Sequence, residues 1–527
     1  MSTRESSRST RSEPSTTPQR LPSSRWWLVL TILTGQITLA FSMFAVAVAL
    51  PNIMSAMSAD VTSIHWVMTA FQIARTVPMP AMGWLSSLLG HRTLYITGLA
   101  ITVGATICCG LAWSLESLVF FRVLQGVGAA PAQVTGMVIL YEAFPLGQRG
   151  LVLGLLLLAG SLGPTIGPSL GGYLVQEYSW RAMFYLSLPT AVISLILTPL
   201  VLPKTAKPQR PTVDGWGLLS MAIWVVALLL AVTQGQRQGW DSAYIRSLFV
   251  LAGVFLAVFV ALEMLQKAPF VDLRLYRNVR FVTVSGAALL FDAAFNCANF
   301  LVALMLQQVF HFTPYQAGLI LAPGALVMGV IGVGAGRLAD LFDPRGSIFL
   351  GLLLHAAAMY ALGFTSLETS MAWLTVLVIV YRMSFGCVHS PLSNTLLKTL
   401  PPERLSMGSG LDGIHRGFAS AFGIALGSTM LERRLAAHQV GLGEQHEALS
   451  QQVQDVTSTV ADTLRHHGVP GGEAEGQAVT VVFEHLQTQA HMAAYQDTFL
   501  ILCGVTVFAM APAMLARASR ADAQRGS

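Results

Sequence analysis

The chain has 527 residues, of which 54% are hydrophobic and only 11% are charged, and its mean hydropathy is +0.60. Soluble domains carry about a quarter charged residues, so this composition excludes a soluble globular class and predicts a lipid-embedded chain. All five cysteines lie in apolar segments without metal-ligand or redox spacing. They are expected to be small core residues, and neither a metal nor another cofactor is predicted.

The chain begins with residues 1–25, a segment rich in Ser, Thr and Arg that predicts a disordered cytoplasmic tail. An organellar transit peptide is the alternative for this segment. Fourteen apolar segments follow, and at about 20 residues each they need roughly 280 residues, which the length allows. The predicted segments cover residues 26–50, 64–85, 93–113, 117–141, 150–174, 181–202, 215–234, 246–265, 281–307, 315–336, 346–364, 371–392, 407–431 and 496–516.

The basic residues orient these segments, because positive charge stays on the cytoplasmic side. With a cytoplasmic N-terminus, 21 of the 31 Lys and Arg residues fall in cytoplasmic loops and tails, six fall outside and four fall within spans. We therefore expect both termini in the cytoplasm of a multi-pass protein of the cell membrane. The net charge of +5 then needs no nucleic-acid partner to explain it.

The polar stretch 432–495 interrupts the last two segments and is predicted to lie outside. Leu449, Val453 and Val456 recur at helical spacing, which indicates one or two short amphipathic helices. Such an insertion could be a lid, a partner surface or tolerated sequence, and tolerated sequence is the default for a loop.

Several short motifs occur in order along the first half. They are residues 66–70 (WVMTA), residues 83–92 (GWLSSLLGHR, with Gly83, Gly90 and Arg92), Arg122, Gln125, Gly126 and Gly128 in the fourth segment, and Gly163, Pro164, Gly167, Pro168, Gly171 and Gly172 in the fifth. With these motifs in register, the chain resembles the major facilitator superfamily, and in particular its fourteen-span drug:proton antiporters. The resemblance implies a secondary active transporter and no enzyme.

The fold that the resemblance implies is all-α and membrane-integral, with two six-helix bundles facing each other across a central cavity. The bundles would be residues 26–202 and 281–516, with two extra transmembrane helices in the linker 203–280 and a cytoplasmic tail at 517–527. Parallel repeats are expected in this superfamily. Gly336, Arg337 and Asp340 indeed stand between the tenth and eleventh segments as residues 83–92 stand between the second and third.

The glycines of the fifth segment permit close helix packing, and its prolines bend the helix. In the family this stretch is the antiporter motif. The 83–92 loop would be a cytoplasmic latch between two helices, with an ordinary basic loop as the alternative. Two family carboxylates are missing, since Ser42 stands where the first-span acid is usual and Ser87 stands for the Asp of the loop. The first half therefore has no obvious proton carrier.

The second half contains a candidate proton carrier. Asp292, Asn296 and Asn299 lie at i, i+4 and i+7, which places them on one face of the ninth segment. By the repeat correspondence, Arg382 is the predicted partner of Asp292 in proton coupling, with His389 as an alternative proton acceptor.

Other intramembrane polar residues have weaker assignments. Asp412 and Arg416 are four apart and are predicted to form a structural pair on their own helix. Arg75 and Arg122 are expected to face the cavity without a balancing acid. Phe41, Met43 and Phe44, together with Met79 and Met82, could form a soft apolar wall. The predicted substrate-binding set is Arg75, Arg122, Gln72, Asn296, Asn299, Phe41, Met43 and Ser42.

Three functions remain open from the sequence. The leading one is proton-driven export of amphipathic small molecules, such as drugs or secondary metabolites. The interior arginines suggest transport of organic anions or fatty-acid-like substrates instead, and a non-transporting membrane receptor or scaffold is the third. The expected partners are a small-molecule substrate, protons and the lipid bilayer. A monomer is compatible with the sequence, which does not determine the oligomeric state.

Overall fold

A computed structural model describes residues 25–59, 61–202, 215–266, 273–401, 404–467 and 469–515. Apart from Arg25, the predicted tails lie outside these residues. All regular elements in the described ranges are helices, which confirms the predicted all-α class. In a bilayer the backbone polar groups find no water, so helices, which bond them internally, are the favoured solution.

The first six predicted segments and the two extra ones give nine labelled helices. These are α1 (Arg25–Ala56), α2 (Trp66–Thr76), α3 (Met82–Leu89), α4 (His91–Gly110), α5 (Leu115–Ala143), α6 (Arg149–Glu177), α7 (Leu188–Val201), α8 (Gly215–Gln238) and α9 (Ala243–Leu265). The second half adds α10 (Val279–Gln308), α11 (Pro314–Leu341), α12 (Pro344–Leu362), α13 (Met371–Lys398), α14 (Leu405–His466) and α15 (Gly471–Leu515).

Twelve stretches of the described residues are long and apolar enough to cross a membrane. The second predicted segment is absent from this set because it is broken into α2, a 3-10 turn at Met79–Ala81, and α3. Pro78 and Pro80 cause the break, since proline lacks the N–H that a helix interior requires. The segment 407–431 is also absent, although it is helical within α14. The count of fourteen spans therefore stays a prediction.

The two halves meet along two seams lined by glycine. On one seam, α6 crosses α11 where Gly150 lies against Gly336, and on the other Gly83 packs against Met407 of α14. A Cβ atom at Gly83 would lie 2.8 Å from the Cβ of Met407, closer than real side chains pack. Small residues permit such close helix crossings where lipid gives no hydrophobic drive for association.

The insertion 432–495 differs from its prediction of one or two short helices. Instead, α14 continues for 62 residues and α15 for 45, so both membrane helices extend into a long hairpin. At 1.5 Å per residue α14 spans about 90 Å, roughly three times the hydrocarbon thickness. The prediction was wrong because nothing breaks the helix: no proline occurs between residue 405 and Pro470. His438 Nε2 lies 3.0 Å from Asp497 Oδ2 near the base of the hairpin.

Candidate functional site

A cavity of about 200 Å³ lies between the two halves, and we call it the central cavity. Helices of both halves line it with amides, hydroxyls and charged groups among apolar side chains. Its polar and methionine lining comprises Gln36, Met79, Gln133, Met137, His389, Ser393, Ser409, Asp412 and Arg416. Of the described residues that line it, none belongs to α8 or α9.

Arg416 joins the charged groups beside this cavity, and we call the residues around it the Arg416 cluster. Its Nε donates to Asp412 Oδ2 at 2.8 Å, and its Nη1 lies 3.5 Å from Asp292 Oδ2. Nη1 also lies 2.5 and 3.0 Å from the two ring nitrogens of His389, and Nη2 donates to Ser393 Oγ at 2.8 Å. Arginine has five N–H donors in a planar fork, which suits it to this central position. The cluster thus connects α10, α13 and α14.

The predicted pairing of Asp292 with Arg382 is wrong. Arg382 Nη2 donates to Asn299 Oδ1 at 2.5 Å, and its Nε donates to the hydroxyl of Tyr381 at 3.1 Å. Asn299 stands seven residues beyond Asp292, about 10 Å further along α10, so Arg382 meets that helix two turns away from the carboxylate. The cation beside Asp292 is Arg416. The predicted pair of Arg416 with Asp412 exists, but it is one part of a larger cluster.

The polar face predicted on α10 contacts two neighbouring helices. Asn296 Nδ2 donates to the carbonyl of Asp292 at 2.7 Å, and its Oδ1 accepts from Ser420 of α14 at 3.3 Å. Asn299 Oδ1 accepts a hydrogen bond from Arg382 of α13. These two asparagines therefore position the Asp292 helix against α13 and α14.

Arg122 does not face the central cavity, contrary to its prediction. The residue is fully buried, with Nε donating to the carbonyl of Val67 at 2.9 Å and Nη1 to the carbonyl of Ser42 at 2.9 Å. Nη1 also donates to Gln125 Oε1 at 2.7 Å, and the guanidinium lies 4.1 Å from the Phe71 ring centroid. Two backbone carbonyls and an amide therefore occupy Nε and Nη1 of this arginine, which joins α1, α2 and α5, while its buried Nη2 has no hydrogen-bond partner among the described residues.

Arg75 has weaker contacts than Arg122. Its Nη1 lies 3.7 Å from Met43 Sδ, and its buried Nε has no hydrogen-bond partner among the described residues. The buried Oε1 of Gln72 is likewise unpartnered within the described part of the chain. Neither side chain lines the central cavity, and nor do Phe41 and Met43. Of the predicted apolar wall, Met79 lines the central cavity, Phe41, Met43 and Met82 do not, and the side chain of Phe44 lies outside the described residues.

The last turns of α11, with Arg337 and Asp340, form a latch between the halves. Asp340 accepts from the backbone N–H groups of Gly150 at 2.8 Å and Leu151 at 3.0 Å, at the first turn of α6. A carboxylate is favoured at a helix N-terminus by the helix dipole and the free N–H groups. Asn394 donates to Asp340 at 3.1 Å, and Arg337 donates to the carbonyl of Gly147 at 2.9 Å.

Residues 83–92 of the first half contact the second half in a different way, since Gly83 packs against Met407 of α14. Arg92 donates to the carbonyl of Pro199 at 2.8 Å within its own half, and Ser87 bonds its own helix at Trp84. Gly90 has φ of 78°, a conformation that favours glycine at the end of α3. Arg92 thus connects α4 with α7, whereas Arg337 and Asp340 connect the two halves, and the latch role of residues 83–92 stays a prediction.

The fifth-segment motif lies on α6. Gly163 packs against Ala40 of α1, where a Cβ atom would lie 2.7 Å from the Ala40 Cβ. Gly167 and Gly171 are buried, Pro164 is half-buried, and Gly172 faces open space. The side chain of Pro168 lies outside the described residues.

A model of the "Major Facilitator Superfamily" matches residues 32–424, three quarters of the chain. This chain belongs to the major facilitator superfamily. Members of the family are solute transporters, so the chain is a transporter and not an enzyme.

Individual relatives are similar over most of the chain. The multidrug export protein EmrB of Escherichia coli K12 is 28% identical over 88% of this chain and 91% of its own length. The multidrug resistance protein Stp of Mycobacterium tuberculosis is 29% identical, covering 74% of this chain and 73% of its own. The solved structure of the human organic anion transporter MFSD10 covers 93% of this chain and 98% of its own, with a TM-score of 0.60 and 14% identity. That likeness concerns the fold alone.

The sequence analysis did not identify four polar residues that line the central cavity of this superfamily member. Gln36 and Gln133 are isolated amides in apolar spans of the first half, Ser393 lies on α13, and Ser409 precedes Asp412 on α14. The two glutamines could have been found from the sequence, because an amide within hydrocarbon is costly unless it faces water or a partner. The criterion applied to charged residues in apolar spans holds for amides as well.

Proposed function

We propose that this transporter exports amphipathic small molecules, drugs or the cell's own secondary metabolites, across the cell membrane in exchange for protons. The names of EmrB and Stp support export of drugs. The asymmetry of basic residues supports a cytoplasmic position for both termini.

The observation that carries this proposal is the charge balance of the Arg416 cluster. Two carboxylates, Asp292 and Asp412, share one guanidinium, and both are largely excluded from solvent. With both ionised and His389 neutral, the cluster has one excess negative charge. An excess charge in the membrane interior costs several kcal/mol. One proton neutralises it, and so does the cationic group of a substrate.

Competition for that one charge gives exchange a physical basis. A substrate cation that binds favours release of the proton, and a proton that returns favours release of the substrate. Movement between the two access states would use the glycine seams, where the halves rock against each other. The Asp340 latch must open for access from the side predicted to be cytoplasmic.

A second candidate, transport of organic anions or fatty-acid-like molecules, has one observation in its favour. The guanidinium of Arg75 has a buried, unpartnered Nε among the described residues and no carboxylate within ion-pair distance there. Arg122 gives weaker support, because its Nε and Nη1 donate to backbone carbonyls of α2 and α1 and only its Nη2 has no hydrogen-bond partner among the described residues.

Efflux measurements test the proposal directly. Cells with and without the protein are loaded with a panel of cationic, neutral and anionic fluorescent dyes, under an intact and a collapsed proton gradient. We expect gradient-dependent efflux of lipophilic cations. Gradient-dependent efflux of anions alone favours the second candidate. Equal dye retention with and without the protein across the panel contradicts both.

A further inference from the structure

A second, larger cavity of about 620 Å³ lies at the flank of the second half, and we call it the lateral chamber. It is enclosed by α8, α9, α10 and α14. Its deep wall is buried, as at Met221 and Ile414, whereas Leu289, Phe422 and Leu426 at its rim are exposed. The volume lies in the range of about 300–1,000 Å³ that is typical of sites for drug-sized molecules.

Aromatic rings form one wall of the lateral chamber. The Trp224 indole stacks on Phe418 with ring centroids 5.5 Å apart and planes at 20°. The Phe259 ring of α9 lies with its centroid 6.4 Å from that of Trp224. Aromatic faces and edges pack favourably against another ring, beyond the effect of apolar burial.

The chamber also holds a small set of polar groups. The hydroxyl of Tyr276 lies 2.7 Å from His415 Nε2. His415 Nδ1 and Trp224 Nε1 are buried, and neither has a hydrogen-bond partner among the described residues. A buried polar atom without a partner is costly, so a ligand that bonds to one of them gains affinity. No Lys, Arg, Asp or Glu occurs among the described residues that line the chamber, so a charged headgroup finds no counter-ion there.

Helix α14 separates this chamber from the central cavity. Asp412 and Arg416 line the central cavity, whereas Ile414, His415 and Phe418 line the lateral chamber. At 3.6 residues per turn, Ile414 and Phe418 point away from Asp412 and Arg416, and His415 lies at the edge between the two faces of this helix.

We propose that the lateral chamber binds an uncharged aromatic molecule dissolved in the bilayer that carries one hydrogen-bonding group. The aromatic wall selects the ring, His415 or Trp224 bonds the polar group, and the exposed rim admits the molecule from lipid. The site goes beyond the proposed function and does not depend on it, because the test below measures binding and not transport.

The test uses the full chain in phosphatidylcholine nanodiscs and 4-hydroxybenzophenone as a photo-crosslinking probe. We expect crosslinks to map to α8, α9 and α14 at the chamber wall. Ala419→Trp fills the chamber from its buried wall and should reduce this labelling about tenfold, because a packed space accepts no further ring. Leu251→Trp adds the same ring on the exposed face of α9 outside the chamber and should leave labelling unchanged.

A matched probe tests the polar contact. Benzophenone, which lacks the hydroxyl, should label the wild-type chamber about fivefold less, the effect of one hydrogen bond of ordinary strength. His415→Leu should reduce this difference. If Ala419→Trp does not give a monodisperse protein, Leu289→Trp narrows the rim instead. Labelling spread evenly over the lipid-facing helices, or a chamber occupied by phospholipid that the probe does not displace in native mass spectrometry, overturns the proposal.

Discussion

Replacing Asp292 by Asn removes one charge from the Arg416 cluster with little change in shape. At 3.5 Å between Asp292 Oδ2 and Arg416 Nη1, an effective dielectric constant of about 20 gives an attraction of about 5 kcal/mol. Arg416 keeps Asp412 at 2.8 Å, so no guanidinium is left unpaired, and we expect the free energy of unfolding to fall by only about 1–2 kcal/mol.

The functional effect should be much larger. A substrate cation at a similar distance from Asp292 gains an attraction of the same order, and half of it, about 2.5 kcal/mol, corresponds to roughly 70-fold in affinity. In the variant the cluster is neutral, so neither a proton nor a cation is drawn to it. We expect proton-driven accumulation to fall to passive equilibration, while downhill exchange at saturating substrate persists.

Proteoliposomes with an imposed pH gradient measure this difference, with ethidium as the lipophilic cation. Asp455→Asn, on the exposed surface of the hairpin, is the matched control and should accumulate dye as the wild type does. Uphill accumulation by Asp292→Asn at the wild-type level would refute the coupling role of Asp292 and direct attention to another proton route.

Three further changes test other parts of the structure. Arg75→Ala should weaken transport of anionic dyes more than of cationic ones, and equal losses in the two dye classes count against an anion site. Asp340→Asn should weaken the latch by about 1 kcal/mol, because the helix N-terminus loses its carboxylate. Spin labels at the exposed positions Leu146 and Phe342 should then show a larger population of long distances, whereas an unchanged distribution argues against a latch. Arg122→Leu leaves two buried carbonyls without their donor and should lower the free energy of unfolding by about 2–4 kcal/mol. An unchanged midpoint temperature of thermal unfolding in detergent would contradict this stabilising role of Arg122.

The sequence by itself determined the class of the protein and the members of its charged cluster. Low charge and long apolar runs require internally bonded helices in lipid, and this holds without any knowledge of packing. Asp292, His389, Asp412 and Arg416 were all identified, because ionisable residues within an apolar span are rare and costly. The pair of Asp412 with Arg416 was also predictable, since residues four apart on one helix face each other.

Only the tertiary structure decided which helices contact each other and at which level along their axes the side chains meet. Spacing along one helix fixes the relative direction of its own side chains, but it carries no information about the rotation, tilt or level of a neighbouring helix. For this reason Asp292 was assigned to Arg382, which instead bonds Asn299 two turns further along α10. The same limitation concealed that Arg122 binds two backbone carbonyls, and that α14 separates the central cavity from the lateral chamber. These features depend on close approach between distant parts of the chain, which the packing of neighbouring helices determines.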